Sequence, residues 1–68
     1  MQISSRNKLT GNVVQVTPGA VNAEVILDIG GGNQIVGVIT RHSQEKMQIR
    51  EGDRITALIK ASSVMFMK

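Results

Sequence analysis

The stretch AVNAEVILDIGGGNQIVGVIT, residues 20–40, decides the fold. Ala23, Val25, Leu27 and Ile29 occupy alternate positions, which is the period-2 pattern of a strand with one buried face. We therefore predict a strand over residues 20–29. The run of three glycines that follows supplies the positive φ angles of a tight turn and leads into a strand over residues 34–40. It lacks the Lys-Ser/Thr pair and the helix of a phosphate-binding loop, so a β-hairpin is the better interpretation.

The flanking sequence adds three more strands and one helix to this hairpin. β-Branched residues predict a first strand over residues 11–16, which ends at the turn Thr17-Pro18-Gly19. Thr40 is a typical helix N-cap, and a short polar helix is expected over residues 41–47, ending before Ile49. Alternation predicts a fourth strand over residues 54–60 and a Met-rich fifth strand over residues 64–67. The pattern indicates an all-β fold, a small five-stranded OB-like Greek-key barrel with one short helix between strands 3 and 4.

The composition allows one small domain, residues 1–68, and excludes several classes of protein. The chain has 68 residues, no Cys and one aromatic residue, which excludes disulfide scaffolds, Cys-ligated zinc modules and thiol enzymes. No apolar run approaches the roughly 20 residues that span a bilayer, and no secretory leader is visible, so we expect a cytoplasmic protein without a membrane partner. A core this small is marginal on its own, which favours self-association.

Residues suited to catalysis or to metal binding are few. His42 is the single histidine, and no second histidine supports a metal site. The chain contains the residue types of a catalytic triad in Ser43, His42 and Asp53, but neighbours in sequence rarely meet in triad geometry. We expect His42 to be an exposed residue at the start of the helix, and we expect no enzyme, no metal and no cofactor.

Three segments rich in hydrogen-bond donors favour anion binding instead. Ser4-Ser5-Arg6-Asn7 offers hydroxyls, a guanidinium and an amide, and Thr40 with Ser43 brackets the helix start. Lys60 is followed by Ala61, Ser62 and Ser63. Each segment has a plain alternative, namely a frayed terminus, an ordinary helix cap and a solvated lysine. Together, in a chain with net charge +3, they indicate a small oxyanion held between subunits.

Two other functions remain open on these residues. An OB-like barrel often binds single-stranded nucleic acid, although stacking of bases needs aromatic platforms and this chain has one Phe. A purely structural oligomerisation module is the third hypothesis. We expect no nucleic-acid partner.

The chain resembles the molbindins, the small cytoplasmic molybdate-binding proteins of bacteria, over almost its whole length. The opening Ile3-Ser4-Ser5-Arg6-Asn7-Lys8-Leu9-Thr10-Gly11-Asn12-Val13 is similar to the family's I-S-A-R-N-x-L-x-G-x-V, with Ser5 in place of the usual Ala. The similarity continues through Ala23-Glu24-Val25, the Gly-Gly-Asn turn, residues 39–43 and Glu51-Gly52, and it ends on residues 59–65.

The resemblance implies a homo-oligomer, a hexamer built as a trimer of dimers, that holds molybdate or tungstate at subunit interfaces and serves as an intracellular store. It implies that Ser4 and Arg6 reach the anion from one subunit, with Asn7 orienting this segment. The neighbouring subunit would supply donors from Thr40, Ser43, Lys60, Ala61 and Ser62. It also implies a second kind of interface site, for which the candidates are Gly19, Ala20, Val21 and His42.

Overall fold

The fold is one curled antiparallel sheet, seen in a computed structural model that describes residues 6–68. Four strands are present in this range, with one short helix and one 3-10 turn. In chain order they are β1 (Asn7–Pro18), β2 (Asn22–Gly30), β3 (Asn33–Thr40), α1 (Arg41–Lys46), β4 (Arg54–Ile59) and the 3-10 turn (Ala61–Ser63). The strand order in the sheet is β3-β2-β1-β4. Within residues 6–68, no helix has the length and apolarity needed to cross a membrane.

The predicted hairpin of β2 and β3 is confirmed. Gly30 pairs with Asn33, and the two residues between them, Gly31 and Gly32, have φ angles of 63° and 78°. Two consecutive positive φ angles define the type I′ turn that suits the twist of a β-hairpin. The side chain of Asp28 supports the turn by accepting a hydrogen bond of 2.9 Å from the N–H of Gly30.

β1 is longer than predicted because it pairs with two neighbours. Its first half pairs with β4, from Asn7 opposite Ile59 to Asn12 opposite Arg54. Its second half pairs with β2, with a bulge between Val13 and Gln15 where the strand bends. β2 starts at Asn22 rather than at residue 20, because Gly19 N–H donates to the carbonyl of Asn22 and closes a turn there.

The core lies inside the curl and is small. Val13, Val25, Leu27 and Ile49 form its buried cluster, and Ala23 is also buried. The alternation of β2 is therefore confirmed, since its inward residues are those predicted. Ile49 reaches the core because α1 ends in a Schellman motif: Ile49 N–H donates to Gln44 O and Gln48 N–H donates to Glu45 O.

The predicted fifth strand is wrong. Residues 64–67 form no strand, and the side chains of Met65, Phe66 and Met67 are 93–99% exposed. The 3-10 turn accounts for the change in direction, since Ser63 N–H donates to Lys60 O at 2.9 Å and turns the chain away from the line of β4. The barrel of four described strands is accordingly open between β3 and β4, which are not neighbours in the sheet.

Candidate functional site

The terminal pair of the β1–β4 ladder carries the first group of predicted donors. Asn7 pairs with Ile59, so Arg6 and Lys60 extend from the same end of two adjacent strands. Adjacent strands lie about 4.8 Å apart, which brings the two cationic side chains within reach of one small anion. Both residues are exposed. Arg6 and Asn7 line an open cavity of about 390 Å³ together with Lys8, Leu9, Ile59 and Val64.

The 3-10 turn adds backbone donors beside this pair of cations. The hydrogen bonds within the turn come from the N–H groups of Ser63 and Val64, at 2.9 Å and 3.3 Å. The first N–H groups of such a turn, those of Ala61 and Ser62, have no carbonyl partner within it. Lys60 stands at the N-cap position and its side chain makes no capping bond. Arg6, Asn7, Lys60, Ala61 and Ser62 thus form one cluster, here called the ladder-end group.

The second group of donors lies at the start of α1. Thr40 caps the helix, since its hydroxyl oxygen accepts from Ser43 N–H at 3.0 Å, and its hydroxyl lies 2.8 Å from Ser43 Oγ. The ordinary cap considered as an alternative is therefore present. The Thr40 proton is directed to Ser43 Oγ, which leaves the Ser43 hydroxyl proton as the outward donor of this pair. His42 is exposed, as predicted, in the first turn of the helix.

Arg41 connects the helix start to the turn at residues 19–21. Its N–H donates to Val21 O at 2.8 Å, and its guanidinium donates to Gly19 O at 3.2 Å and pairs with Glu45 at 2.9 Å. The candidates Gly19, Ala20, Val21, Thr40, His42 and Ser43 therefore lie together, and they are called the helix-start group. Arg41 was not predicted as part of this group from the sequence, where only its position directly after the N-cap Thr40 indicated it.

The two groups lie at opposite ends of β1. Asn7 begins the strand, whereas Pro18 ends it opposite Ala23, beside the pairing of Asn22 with Thr40. A strand of 12 residues at about 3.3 Å per residue has a contour length of roughly 40 Å. Within one chain the two groups are therefore separate candidate sites, one at each end of the strand. Ser4 lies outside the described residues.

The charge of the chain is distributed unevenly around these groups. Residues 1–23 and 54–68 contain no Asp or Glu, and they carry five of the eight cationic residues. These are Arg6, Lys8, Arg54, Lys60 and Lys68. All five carboxylates belong to residues 24–53, which hold β2, β3, α1 and the following loop. The ladder-end group therefore lies in the cationic half of the molecule, where the field attracts anions.

A second open cavity, of about 300 Å³, is less suited to an anion. It is lined by Arg54, but also by the acidic residue Asp28, together with Thr10, Asn12 and Gly30. The Arg54 guanidinium already donates to Asn12 Oδ1, at 3.5 Å. In the part of the chain that the structure describes, no three His, Asp or Glu side chains come together as a metal site.

The fold and these groups define a class of protein: a small OB-like domain whose strand ends present donors to a ligand. The profile of the TOBE domain family matches residues 3–66. Molybdenum-pterin-binding protein 1 of Clostridium pasteurianum is 45% identical over 67 residues, which are 98% of each chain. The chain belongs to the TOBE domain family, and its resemblance to small molybdenum-binding proteins is confirmed.

Solved structures support the same relationship. The apo form of MopII from Clostridium pasteurianum superposes on this chain with a TM-score of 0.92 at 43% sequence identity. The alignment covers 98% of this chain and 100% of MopII. The cytoplasmic molybdate-binding protein ModG, solved with molybdate bound, gives a TM-score of 0.89 at 40% identity. The chain aligns over 96% of its own length with 46% of ModG.

Proposed function

We propose that this chain binds molybdate, and tungstate equally, at contacts between copies of itself and acts as an intracellular store of the anion without catalysing a reaction. The ladder-end group carries the proposal, because it joins two cations to hydroxyl, amide and backbone donors with no carboxylate among them. The relatives support it, since ModG is described as a cytoplasmic protein and has been solved with molybdate bound.

The chemistry of the donors favours a fully deprotonated tetrahedral dianion. Every polar hydrogen that the ladder-end group offers needs an acceptor, and molybdate presents four oxygens that only accept. Phosphate near neutral pH retains a proton, and its O–H would find no acceptor among these groups. Molybdate and tungstate share size and charge, so we expect nearly equal affinities for them.

The exposure of these cations supports placing the site at a contact between subunits. Arg6 and Lys60 stand at an open sheet end, where water screens their attraction for an anion. A neighbouring subunit that covers this end would exclude water and would supply further donors, with Ser4 among the candidates. The proposed assembly is a homohexamer, a trimer of dimers, of single domains comprising residues 1–68.

The helix-start group is proposed as a second anion site in the same assembly. Arg41 joins the backbone of Gly19 and Val21 to the first turn of the helix, which carries His42 and Ser43. Since Thr40 already caps the helix, its contribution to an anion would be to orient Ser43. The two groups lie at opposite ends of β1. They would therefore bind two separate anions, or each group would contribute donors to one shared anion from a different subunit.

Titration calorimetry with molybdate, tungstate, sulfate and phosphate tests the proposal. We expect the first two anions to bind well above the last two, and Arg6→Ala or Lys60→Ala to weaken binding by at least about 1.5 kcal/mol, the value of a charge-assisted hydrogen bond. Arg50→Ala is the matched control, because it removes the same charge from an exposed position in the loop after α1 that belongs to neither group.

Two results would contradict the proposal. Equal weak heats for all four anions would remove the specificity for molybdate, and unchanged affinity in both the Arg6 and Lys60 variants would remove the ladder-end group. Single-stranded oligonucleotide is titrated in parallel, and strong binding that weakens with salt would support the nucleic-acid function instead.

A further inference from the structure

A third cation lines the cavity of the ladder-end group. Lys8 contributes to the wall of the open cavity of about 390 Å³, beside Arg6 and Val64. Side chains alternate along a strand and paired residues share a face, so Arg6, Lys8 and Lys60 belong to the same face of the β1–β4 ladder. Successive positions on one face are about 7 Å apart along the strand. Lys8 therefore lies one position from the two cations that are proposed to bind the anion.

No carboxylate neutralises Lys8 among the described residues. Its cross-strand partner on β4 is Leu58, which is uncharged, and the ion pair found within residues 6–68 lies in α1. The first carboxylate on the same face is Asp28, opposite Asn12, four residues along β1 and about 14 Å away. Like charges at neighbouring positions destabilise a sheet. Three cations at this end of the ladder are therefore better explained by an anionic ligand than by the stability of the fold.

We propose that Lys8 selects the charge of the anion at the ladder-end group, favouring a tetrahedral dianion over a monoanion of the same shape. Arg6, Lys60 and the backbone of the 3-10 turn supply the hydrogen bonds, and the Lys8 ammonium acts through space on the net charge of the anion. This inference deepens the proposed binding of molybdate and rests on it.

The physical basis is that the energy between two charges is proportional to their product. One positive charge attracts a dianion twice as strongly as a monoanion, so its loss changes the affinity for a dianion by the square of the factor for a monoanion. Shape and hydrogen bonding do not separate tungstate from perrhenate in this way, since both are tetrahedral and both present four oxygens that only accept. Sulfate, another dianion, gains as much from Lys8 as molybdate does, so this selectivity is separate from the preference for molybdate.

The affinities of the full chain and of Lys8→Gln for tungstate and perrhenate test this role. Tungstate is titrated by calorimetry, and perrhenate is measured by its competition with tungstate. At an ionic strength of about 0.01 M, a charge about 7 Å from the anion is expected to change the affinity for tungstate about fivefold and for perrhenate about twofold. At about 0.15 M, where the Debye length falls to about 8 Å, the change for tungstate should decrease to about twofold.

Two further variants separate the charge of Lys8 from its position on the sheet. Lys8→Arg keeps the charge, and we expect it to retain the preference of the unsubstituted chain for tungstate over perrhenate. Arg54→Gln is the matched control for distance, since Arg54 lies on the same face, opposite Asn12 and about 20 Å from Lys60. At about 0.15 M we expect Arg54→Gln to change neither affinity, because this distance is well beyond the Debye length.

Each of the following results would overturn the inference. Equal factors for the two anions, or a loss that does not vary with ionic strength, would show that Lys8 acts as a hydrogen-bond donor or on the fold. Unchanged affinities in Lys8→Gln, with tungstate bound by the unsubstituted chain, would place Lys8 outside the site and leave the proposed function intact. Absence of tungstate binding by the unsubstituted chain would remove the proposed function and this inference together.

Discussion

Gly11 lies where β1 changes partner, and its replacement by alanine tests how the sheet is curled. Gly11 pairs with Ile55 of β4, and the next residue, Asn12, pairs with both Arg54 and Asp28. A Cβ at Gly11 would overlap the carbonyl oxygen of Asp28 and would lie 2.8 Å from its carbonyl carbon. Since both atoms belong to the backbone of β2, no side-chain rotation relieves the overlap.

The loss of stability follows from the distance by which β1 and β2 must separate to remove this overlap. An ordinary carbon–carbon contact is about 3.5–4.0 Å, so β1 and β2 must separate by roughly 1 Å. Ladder hydrogen bonds near Asn12 and Val13 would then lie beyond bonding distance, at about 1 kcal/mol each. The adjoining contact of Val13 with Leu27 loosens as well, and we expect Gly11→Ala to lower the free energy of unfolding by about 3 kcal/mol.

Urea unfolding, followed by far-ultraviolet circular dichroism at fixed protein concentration, measures this loss. Gly52→Ala is the control: Gly52 has a φ of 92° but open space around its Cβ position, so only backbone strain of about 1–2 kcal/mol is expected there. Gly11→Ala should therefore cost more than Gly52→Ala. A loss below about 1 kcal/mol for Gly11→Ala would refute the close crossing of β1 over β2.

Substitutions at three further positions probe the helix and the core, each measured by the same unfolding assay. Gln48 has a φ of 55°, so Gln48→Gly is expected to stabilise the protein by about 0.5–1 kcal/mol, and a destabilisation would contradict the Schellman geometry. Ile49→Ala removes a side chain that is 6% exposed, and we expect a loss of about 2–4 kcal/mol, whereas a loss typical of surface positions would place Ile49 outside the core. Thr40→Ala removes the cap and should cost about 1 kcal/mol, while Thr40→Ser, which retains the hydroxyl, should recover most of it.

Local patterns were sufficient to predict the hairpin and the helix. The alternation of β2 and the run of glycines identify a strand and a turn without reference to the rest of the chain, and Thr40 was correctly predicted as a cap. The bounds of β1 were harder to predict, since residues 7–10 are strand only because β4 lies beside them. That pairing joins residues far apart in sequence, which no local pattern encodes.

The prediction of a fifth strand was wrong for a related reason. Residues 64–67 have the composition of a strand, but a strand also needs an edge to pair with, and the turn at Ala61–Ser63 interrupts the chain between β4 and this segment. The relative positions of the donor residues could not be predicted from local patterns either. Sequence alone identified Arg6, Lys60 and Ser43 by residue type, but only the register of the sheet shows that Arg6 and Lys60 share one end of β1 while Ser43 lies toward the other.

The segregation of charge has a consequence for the loaded protein. The chain carries a formal net charge of +3, concentrated in its cationic half, and each dianion that binds cancels two positive charges. One molybdate per chain would leave +1, and further loading would reverse the sign of the net charge. Because proteins near zero net charge lose colloidal stability, a chain loaded with the anion would be less soluble than an empty one. Electrophoretic mobility in a native gel would therefore report the degree of filling directly, as a stepwise loss of migration toward the cathode.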